Sequence, residues 1–410
     1  MTAELPKIRS HLEAIPVSDQ GNMQVALRDL EGLSSQTLIL SPQAYFILTL
    51  LDGSHSITDI QAAYMRRFGD LLFREALEGL LRTLDDNFML DNDRSRRQKE
   101  QLINEFRQQS TRAPYHAGLT YENDPEKLRS QLLAYFSPEN GGPGFPEPAH
   151  LKRPLRALVA PHIDLRAGGP CFAHAYKALL EAQPIGTCVI LGTGHEPLPH
   201  YFALSRKDFD TPLGRVAADQ EFIDEFSHRS PVDLFADEFA HRREHTIEFQ
   251  VVFLRLLLPD VKIVPLLCSF GVEEIGEEKE EILQVVDALR QTVALDPEGT
   301  CLLASVDLAH IGPRYGDNFR PHAGTIQHHQ QEDQHLLEIL LTGNAHEFAR
   351  VLIQDGNRRR ICGLPPLYTL LKALPGRVDG KLLYYGHTQV DQHNSFVTFA
   401  SAALYSQEQS

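Results

Sequence analysis

RALVAPH, residues 156–162, reads as a short buried strand that runs straight into a histidine. The pattern returns twice, as TCVILGTGH over 187–195 and TCLLASVDLAH over 300–310. Each apolar run has the length of a strand rather than a buried helix and ends on turn-forming residues. Further strand-like runs are KIVPLLCS, KLLYYG and SFVTFASAALY. Between them lie helical patterns: CFAHAYKALLEA, TIEFQVVFLRLLL, EEKEEILQVVDALRQTV, the 325–342 segment, AHEFARVLIQ and PPLYTLLKAL. Alternation of this kind predicts an α/β fold with a largely parallel or mixed sheet flanked by helices. Open sheets of that class gather ligands at the carboxyl ends of their strands. His162, His195 and His310 therefore arrive at one edge from three strands.

The rest of the chain sets bounds on that reading. At 410 residues it is long enough for two domains, and 42% apolar with 23% charged residues is ordinary for a globular protein. A formal net charge of -16 repels phosphate backbones and anionic lipid, so neither nucleic acid nor membrane is an expected partner. No apolar run has the length of a membrane span. The opening MTAELPKIRSHLEAIPVSDQ lacks the apolar core of a secretory signal. Five cysteines without close pairs read as reduced thiols, and the expected location is the cytoplasm.

The first hundred residues form a separate pattern. Ser41-Pro42 starts one helix, Ser56-Ile-Thr-Asp59 resembles a capping box opening a second that ends near Gly69, and Phe73 to Leu84 forms a third. MQVALRDL, SQTLILS and NFMLD are short strand candidates. Three helices with small strands suggest a winged-helix (α+β) module. Residues 42–92 hold four arginines against eight acidic residues, so a protein or peptide suits it better than a duplex. The expected organisation is a winged-helix module over 1–95, a helical linker over 96–110 and an α/β domain over 111–410. SPENGGPGFPEPAH at 137–150 is a Gly/Pro-rich loop, but the stretch from Thr111 is assigned to the α/β domain for a reason given below.

Among nineteen histidines, any one alone is more often a surface or capped residue than a ligand. Three at equivalent strand ends point instead to a shared site. Asp307 has four readings: ligand, orienting partner of an imidazole, general base, or a turn residue bonded to its own backbone. Cys362 follows Arg358-Arg-Arg360 and precedes a Gly-Leu-Pro-Pro helix start, a setting expected to favour the thiolate. Cys188, Cys268 and Cys301 lie within strands as buried fillers, and Cys171 fits either role. No G-x-S-x-G elbow is present, and LGTGHEP is neither a Walker loop nor a complete dinucleotide fingerprint. His241-Arg-Arg-Glu244-His245 fits H-x-x-E-H, the spacing of inverted zinc peptidases, whose two histidines share a face if the segment is helical.

From about Thr111 onward the chain resembles the Memo family, known in prokaryotes as protein B of the AmmeMemoRadiSam system. The residues that carry this are TRAPYHAGLTYENDPEKLRSQLLAYF, VAPHIDLRAGGPCFAHAYKAL, VILGTGHEPL, FDTPLGRVAADQEF, EHTIEFQVVFL, KIVPLL, ASVDLAHIGPRYGD and ICGLPPLY, in order. The first is why the boundary is placed near Ser110. LSPQAYFILTLLDGSHSITDIQAAYMRRFG with ALEGLLRTLDDNFML is similar to the PqqD family, small winged-helix folds that capture peptides.

The resemblance implies a fold similar to class III extradiol dioxygenases, which open catechol rings at non-haem iron. It implies pocket residues His162, His195, Asp307, His310 and Cys362, with His245 and Glu248 of EHTIE close by. Two departures stand out. APHIDLRAGG replaces the common APHAGY, bringing Asp164 and Arg166 toward the pocket, and His195-Glu196 replaces a paired histidine. The resulting expectation is a transition-metal site of His162, His195 and Cys362, iron foremost with copper or zinc as alternatives. Asp307 and His310 would move protons or orient groups, in a redox or dioxygenase-like protein. A non-catalytic adaptor is the alternative, with a radical-SAM enzyme or an AMMECR-type protein as partner, or a peptide at the N-terminal module. A metallopeptidase through His241 and His245 is the third reading.

Overall fold

The structure is a computed structural model describing residues 5–19, 22–146 and 153–407. The loop expected at 137–150 is described to residue 146, and its remainder lies outside the described residues. The chain divides into two compact units, residues 1–108 and 109–410.

The first unit opens with strands β1 (Lys7–Ile8), β2 (Leu12–Asp19), β3 (Asn22–Asp29) and β4 (Leu38–Leu40). Helices α1 (Pro42–Leu48), α2 (Ile57–Phe68) and α3 (Arg74–Asp86) follow, then β5 (Leu90–Asp91) and α4 (Asp93–Gln108). The caps appear where the sequence places them. Ser41 accepts from Ala44 N ahead of Pro42, Ser56 and Asp59 form a capping box, and Gly69 ends α2 at φ 71°. Strands β2, β3 and β4 make an antiparallel sheet, and β1 pairs with β5. Strand β2 was not anticipated, because Pro16 interrupts its apolar pattern. The segment read as a linker over 96–110 is mostly α4, which belongs to this unit through a Lys99–Glu31 ion pair of 2.6 Å.

The second unit begins with β6 (Thr111–Arg112), α5 (Pro125–Ala134), β7 (Leu155–Ala160), α6 (Leu165–Leu180) and β8 (Thr187–Thr193). Then come β9 (Phe202–Leu204), β10 (Asp208–Thr211), β11 (Gly214–Val216), α7 (Gln220–Arg229), α8 (His245–Leu257) and β12 (Lys262–Cys268). The rest is α9 (Val272–Gly276), α10 (Glu280–Val293), β13 (Thr300–Ser305), β14 (His310–Ile311), α11 (Ala323–Leu341), α12 (Ala345–Asp355), α13 (Leu364–Ala373), β15 (Val378–Gln389) and β16 (Phe396–Ser406).

Among the described residues, eight strands make one mixed sheet in the order β14-β16-β7-β13-β8-β12-β9, with β15 on the free side of β16. Strands β7, β13, β8 and β12 are mutually parallel, and β9 and β16 flank them antiparallel. The fold is thus mixed α/β with helices on both faces, in keeping with a Memo or dioxygenase-like architecture. Residues alternate along each strand between two cores. Ala157 and Val159 face a core that includes residues of α10 to α13, and Leu158 and Ala160 face one built with α5, α6 and α8. Burial on both faces explains why the central strands read as unbroken apolar runs. In register, Ser305 lies opposite Ala160 on one side and Gly192 on the other, so β7, β13 and β8 end level with one another.

Candidate metal centre

His162 stands two residues beyond β7, His195 two beyond β8 and Asp307 two beyond β13. Since those strands are adjacent and end together, their loops meet. His162 is buried, and its Nδ1 lies 2.9 Å from the Ser305 carbonyl oxygen. A carbonyl only accepts, so Nδ1 carries the proton and the lone pair sits on Nε2. That Nε2 is 3.2 Å from Cys362 Sγ. Burial, with His195 and His245 nearby, holds His162 well below the usual histidine range and so keeps it neutral.

His195 is oriented from behind by Glu244. Its Nδ1 lies 3.1 and 3.2 Å from the two carboxylate oxygens, and its backbone N–H donates to Oε2 at 3.1 Å. The imidazole also hydrogen-bonds the Cys362 side chain. Burial acts to lower its pKa, but Glu244 and the thiol outweigh that and raise it well above the usual value. Glu244 itself caps α8, accepting from His245 N at 2.8 Å and Thr246 N at 3.2 Å. It stays ionised although buried, because His195, His245 and these N–H groups favour the charge.

This arrangement needs α8 to descend onto the end of β8. A Cβ on Gly192 would lie 2.7 Å from Thr246 Oγ1 and 2.8 Å from Ile247, so only glycine permits the approach. Thr246 Oγ1 donates to Thr193 O at 3.1 Å, and Gln250 Nε2 bonds both Pro161 O and Ser305 Oγ at 2.7 Å. The first turns of α8 are thereby hydrogen-bonded to all three strand ends.

Cys362 comes from the turn before α13. Gly363 N donates to Asp307 O at 3.2 Å, and Thr193 Oγ1 donates to Cys362 O at 3.3 Å. The expected electropositive setting does not materialise, because each preceding arginine is taken by carboxylates. Arg358 pairs with Glu332, Arg359 with the buried Asp333, and Arg360 with Asp317 at 2.8 Å. Burial pushes the Cys362 thiol up, and His195 opposes that rise. All five cysteines are free, and Cys171, Cys188, Cys268 and Cys301 are fully buried.

Asp307 is buried, accepts from His162 N and Ile163 N at 3.1 Å each, and lies 3.7 Å from His162 Nε2. Burial pushes its carboxyl up to about 7, against the pull of those two donors. His310 Nδ1 bonds Leu308 O at 3.0 Å, and burial lowers that imidazole to about 4. His245 completes a cluster of three rings, its centroid 5.3 Å from His162 and 4.9 Å from His195.

Among the described residues, two groups of donors have their ligand atoms within 4.8 Å of one another: His162, His195 and Cys362, and His195, Glu244 and His245. The first matches a transition metal, with two imidazoles oriented by their outer hydrogen bonds and one thiol. The second shares His195, but its carboxylate is already engaged in capping and orienting.

Other residues singled out in the sequence fall elsewhere. Asp164 caps α6 and holds Arg166, and it belongs to neither donor group. Glu196 is half-buried, its carbonyl accepting from Ser269 Oγ at 3.1 Å, and is likewise outside both. Glu248 is buried in a clamp where it pairs with Arg112 and accepts from Tyr115 N, His116 N and Tyr121 OH. His241 is not on one helix with His245: it lies in the 3-10 turn Glu238–Arg242, bonding Ala203 O at 2.8 Å. The zinc-peptidase reading of H-x-x-E-H fails on that break, and only its last two residues reach the centre. The sequence reading quoted Glu244 without its role, which a carboxylate directly before an apolar helix signals as a cap.

A groove of about 450 Å³ opens beside this centre, lined by both His195 and Cys362. No described helix is long and apolar enough to cross a membrane.

The profile of the Memo-like protein family matches residues 112–403. A MEMO1 family protein of Aquifex aeolicus is 29% identical over 403 residues, covering 98% of this chain and all of its own. One from Sulfolobus acidocaldarius is 33% identical over 222 residues, 53% of this chain and 72% of its own. One from Methanopyrus kandleri is 30% identical over 279 residues, 67% of this chain and 91% of its own. With the profile spanning well over half its length and these relatives beside it, the chain belongs to the Memo-like protein family.

Proposed function

We propose that the second unit binds a transition metal, iron foremost and copper or zinc as alternatives, through His162 Nε2, His195 Nε2 and Cys362 Sγ, in a redox or dioxygenase-like role. What carries the reading is the convergence of these three donors with both imidazoles held from behind, by Ser305 O and by Glu244. A bound metal would supply Lewis acidity or electron transfer to a phenolic substrate. Asp307 and His310 would hold or pass protons beside it, since burial brings the carboxyl to about 7 and keeps the imidazole neutral. A thiol in place of a carboxylate ligand makes the centre oxidisable. Catechol cleavage is therefore one member of the reaction class rather than its definition.

The test is metal content and Fe(II) and Cu(I) affinity of anaerobically purified protein. One equivalent is expected, lost in His162→Ala and in Cys362→Ala. Protein without metal that takes none up on titration overturns the reading. The exposed Met65, Leu71 and Phe73 of the first unit, at 51%, 59% and 67%, favour a second role for that unit alone, docking a peptide or a radical-SAM enzyme partner. Retention of such a partner by wild type and its loss in Phe73→Ala would support that role.

A further inference from the structure

The groove beside the metal centre has an uneven chemistry. Tyr201 and Phe270 present rings to it, their centroids 6.5 Å apart at 84°, and Leu364 and Pro365 close another side. Its ionisable lining side chains are His195, Tyr201, Glu274 and Cys362; Glu274 is the one carboxylate among them, and no lysine or arginine contributes. Glu274 Oε2 accepts from Gly271 N at 2.8 Å, which fixes the carboxylate, while its second oxygen takes no hydrogen bond from the described residues. Nearby, Lys279 has its Nζ on Glu277 at 2.7 Å. The walls thus offer ring and aliphatic surface along their length, with one fixed carboxylate among them.

We propose that this groove selects aromatic molecules bearing an ammonium group and rejects those bearing a carboxylate or phosphate. The ring lies against Tyr201 and Phe270, and the ammonium meets Glu274. No lysine or arginine lines the groove to meet an anion, the His195 imidazole is already paired with Glu244, and the net charge of -16 adds a long-range repulsion. This deepens the proposed function by naming the substrate class of the same site. It rests on that reading only for the claim that the ligand goes on to react.

The experiment keeps the two apart by using probes that do not chelate. Phenethylamine, phenethyl alcohol and phenylacetate are titrated calorimetrically into the full chain, with metal and after chelation. The expected order is amine, then alcohol, then carboxylate, with amine and carboxylate separated by about tenfold or less, as for a partly solvated charge pair. In Glu274→Gln, which retains an acceptor for Gly271 N, the amine loses about fivefold and the alcohol is unchanged. Phe270→Ala weakens all three. Equal or tighter binding of phenylacetate, an amine preference that survives in Glu274→Gln, or no binding of any probe would overturn the proposal. An intact ranking in protein that takes up no metal leaves the groove standing and sinks only the metal reading.

Discussion

His241 shows how one residue is decided by its hydrogen bonds. Its Nε2 donates to Ala203 O, while Nδ1 is buried with no hydrogen-bond partner among the described residues, and burial lowers the imidazole to about 4. Because the folded value is below the ordinary 6.5, the unfolded chain takes the proton first as pH falls. Stability is therefore unaffected above 6.5 and lost progressively from 6.5 down to about 4. The full effect is at most about 3 kcal/mol. Denaturant melts at a series of pH values should show wild type losing that much relative to His241→Gln over this window, with metal content the same in both. Parallel curves would contradict it. Glu244, three residues on, has the opposite character: it is buried but charged, since His195, His245 and two backbone N–H groups converge on it.

Strand ends were the readable part of the site. His162, His195, Asp307 and His310 could be placed because an apolar run of strand length ending on a polar turn has one simple interpretation. Cys362 was named as a candidate, yet its environment was misjudged. Three consecutive arginines look like positive charge along the chain, but each finds its own carboxylate in space. The short strands β9 to β11 and the clamp of Arg112 on Glu248 escaped notice, since pairing partners 136 positions apart leave no local pattern. Gly192 went unremarked for the same reason, because the need for it arises only where α8 crosses β8. Gly192→Ala should displace the first turn of α8, which carries Glu244 and His245. A destabilisation of about 1–3 kcal/mol is expected, with weaker metal binding than a comparable core substitution far from β8 produces. Thermal melts and a metal titration would check both, and unchanged affinity alongside lost stability would separate packing from the centre.

For the whole molecule, the division after Gln108 is the main organising fact. Helical caps and patterns made the first unit readable as three helices with small strands. The stretch 96–110 reads as a linker because it is almost wholly polar; most of it is the helix Asp93–Gln108, which its contacts assign to the first unit. The second unit holds every donor of the candidate centre and its own two cores. A chain of residues 109–410 should therefore fold and take up metal with the affinity of the full protein. Circular dichroism and titration would test this, and a tenfold or greater loss of affinity would show that residues 1–108 support the centre.

The hydrogen bond from Cys362 to His162 joins residues 200 positions apart. On a ribosome extending the chain by ~5–20 residues each second, the thiol emerges on the order of 10–40 seconds after the imidazole. The first unit is complete before His162 exists, and the central strands can begin to pair while the last donor is still untranslated. A nascent chain thus offers the two imidazoles without the Cys362 thiol, a pair that suits zinc or nickel as readily as iron. The thiol, arriving last, completes the candidate donor group of His162, His195 and Cys362. For the proposed metal, choice would in this sense be a matter of timing, and loading that waits for chain release would avoid the wrong ion.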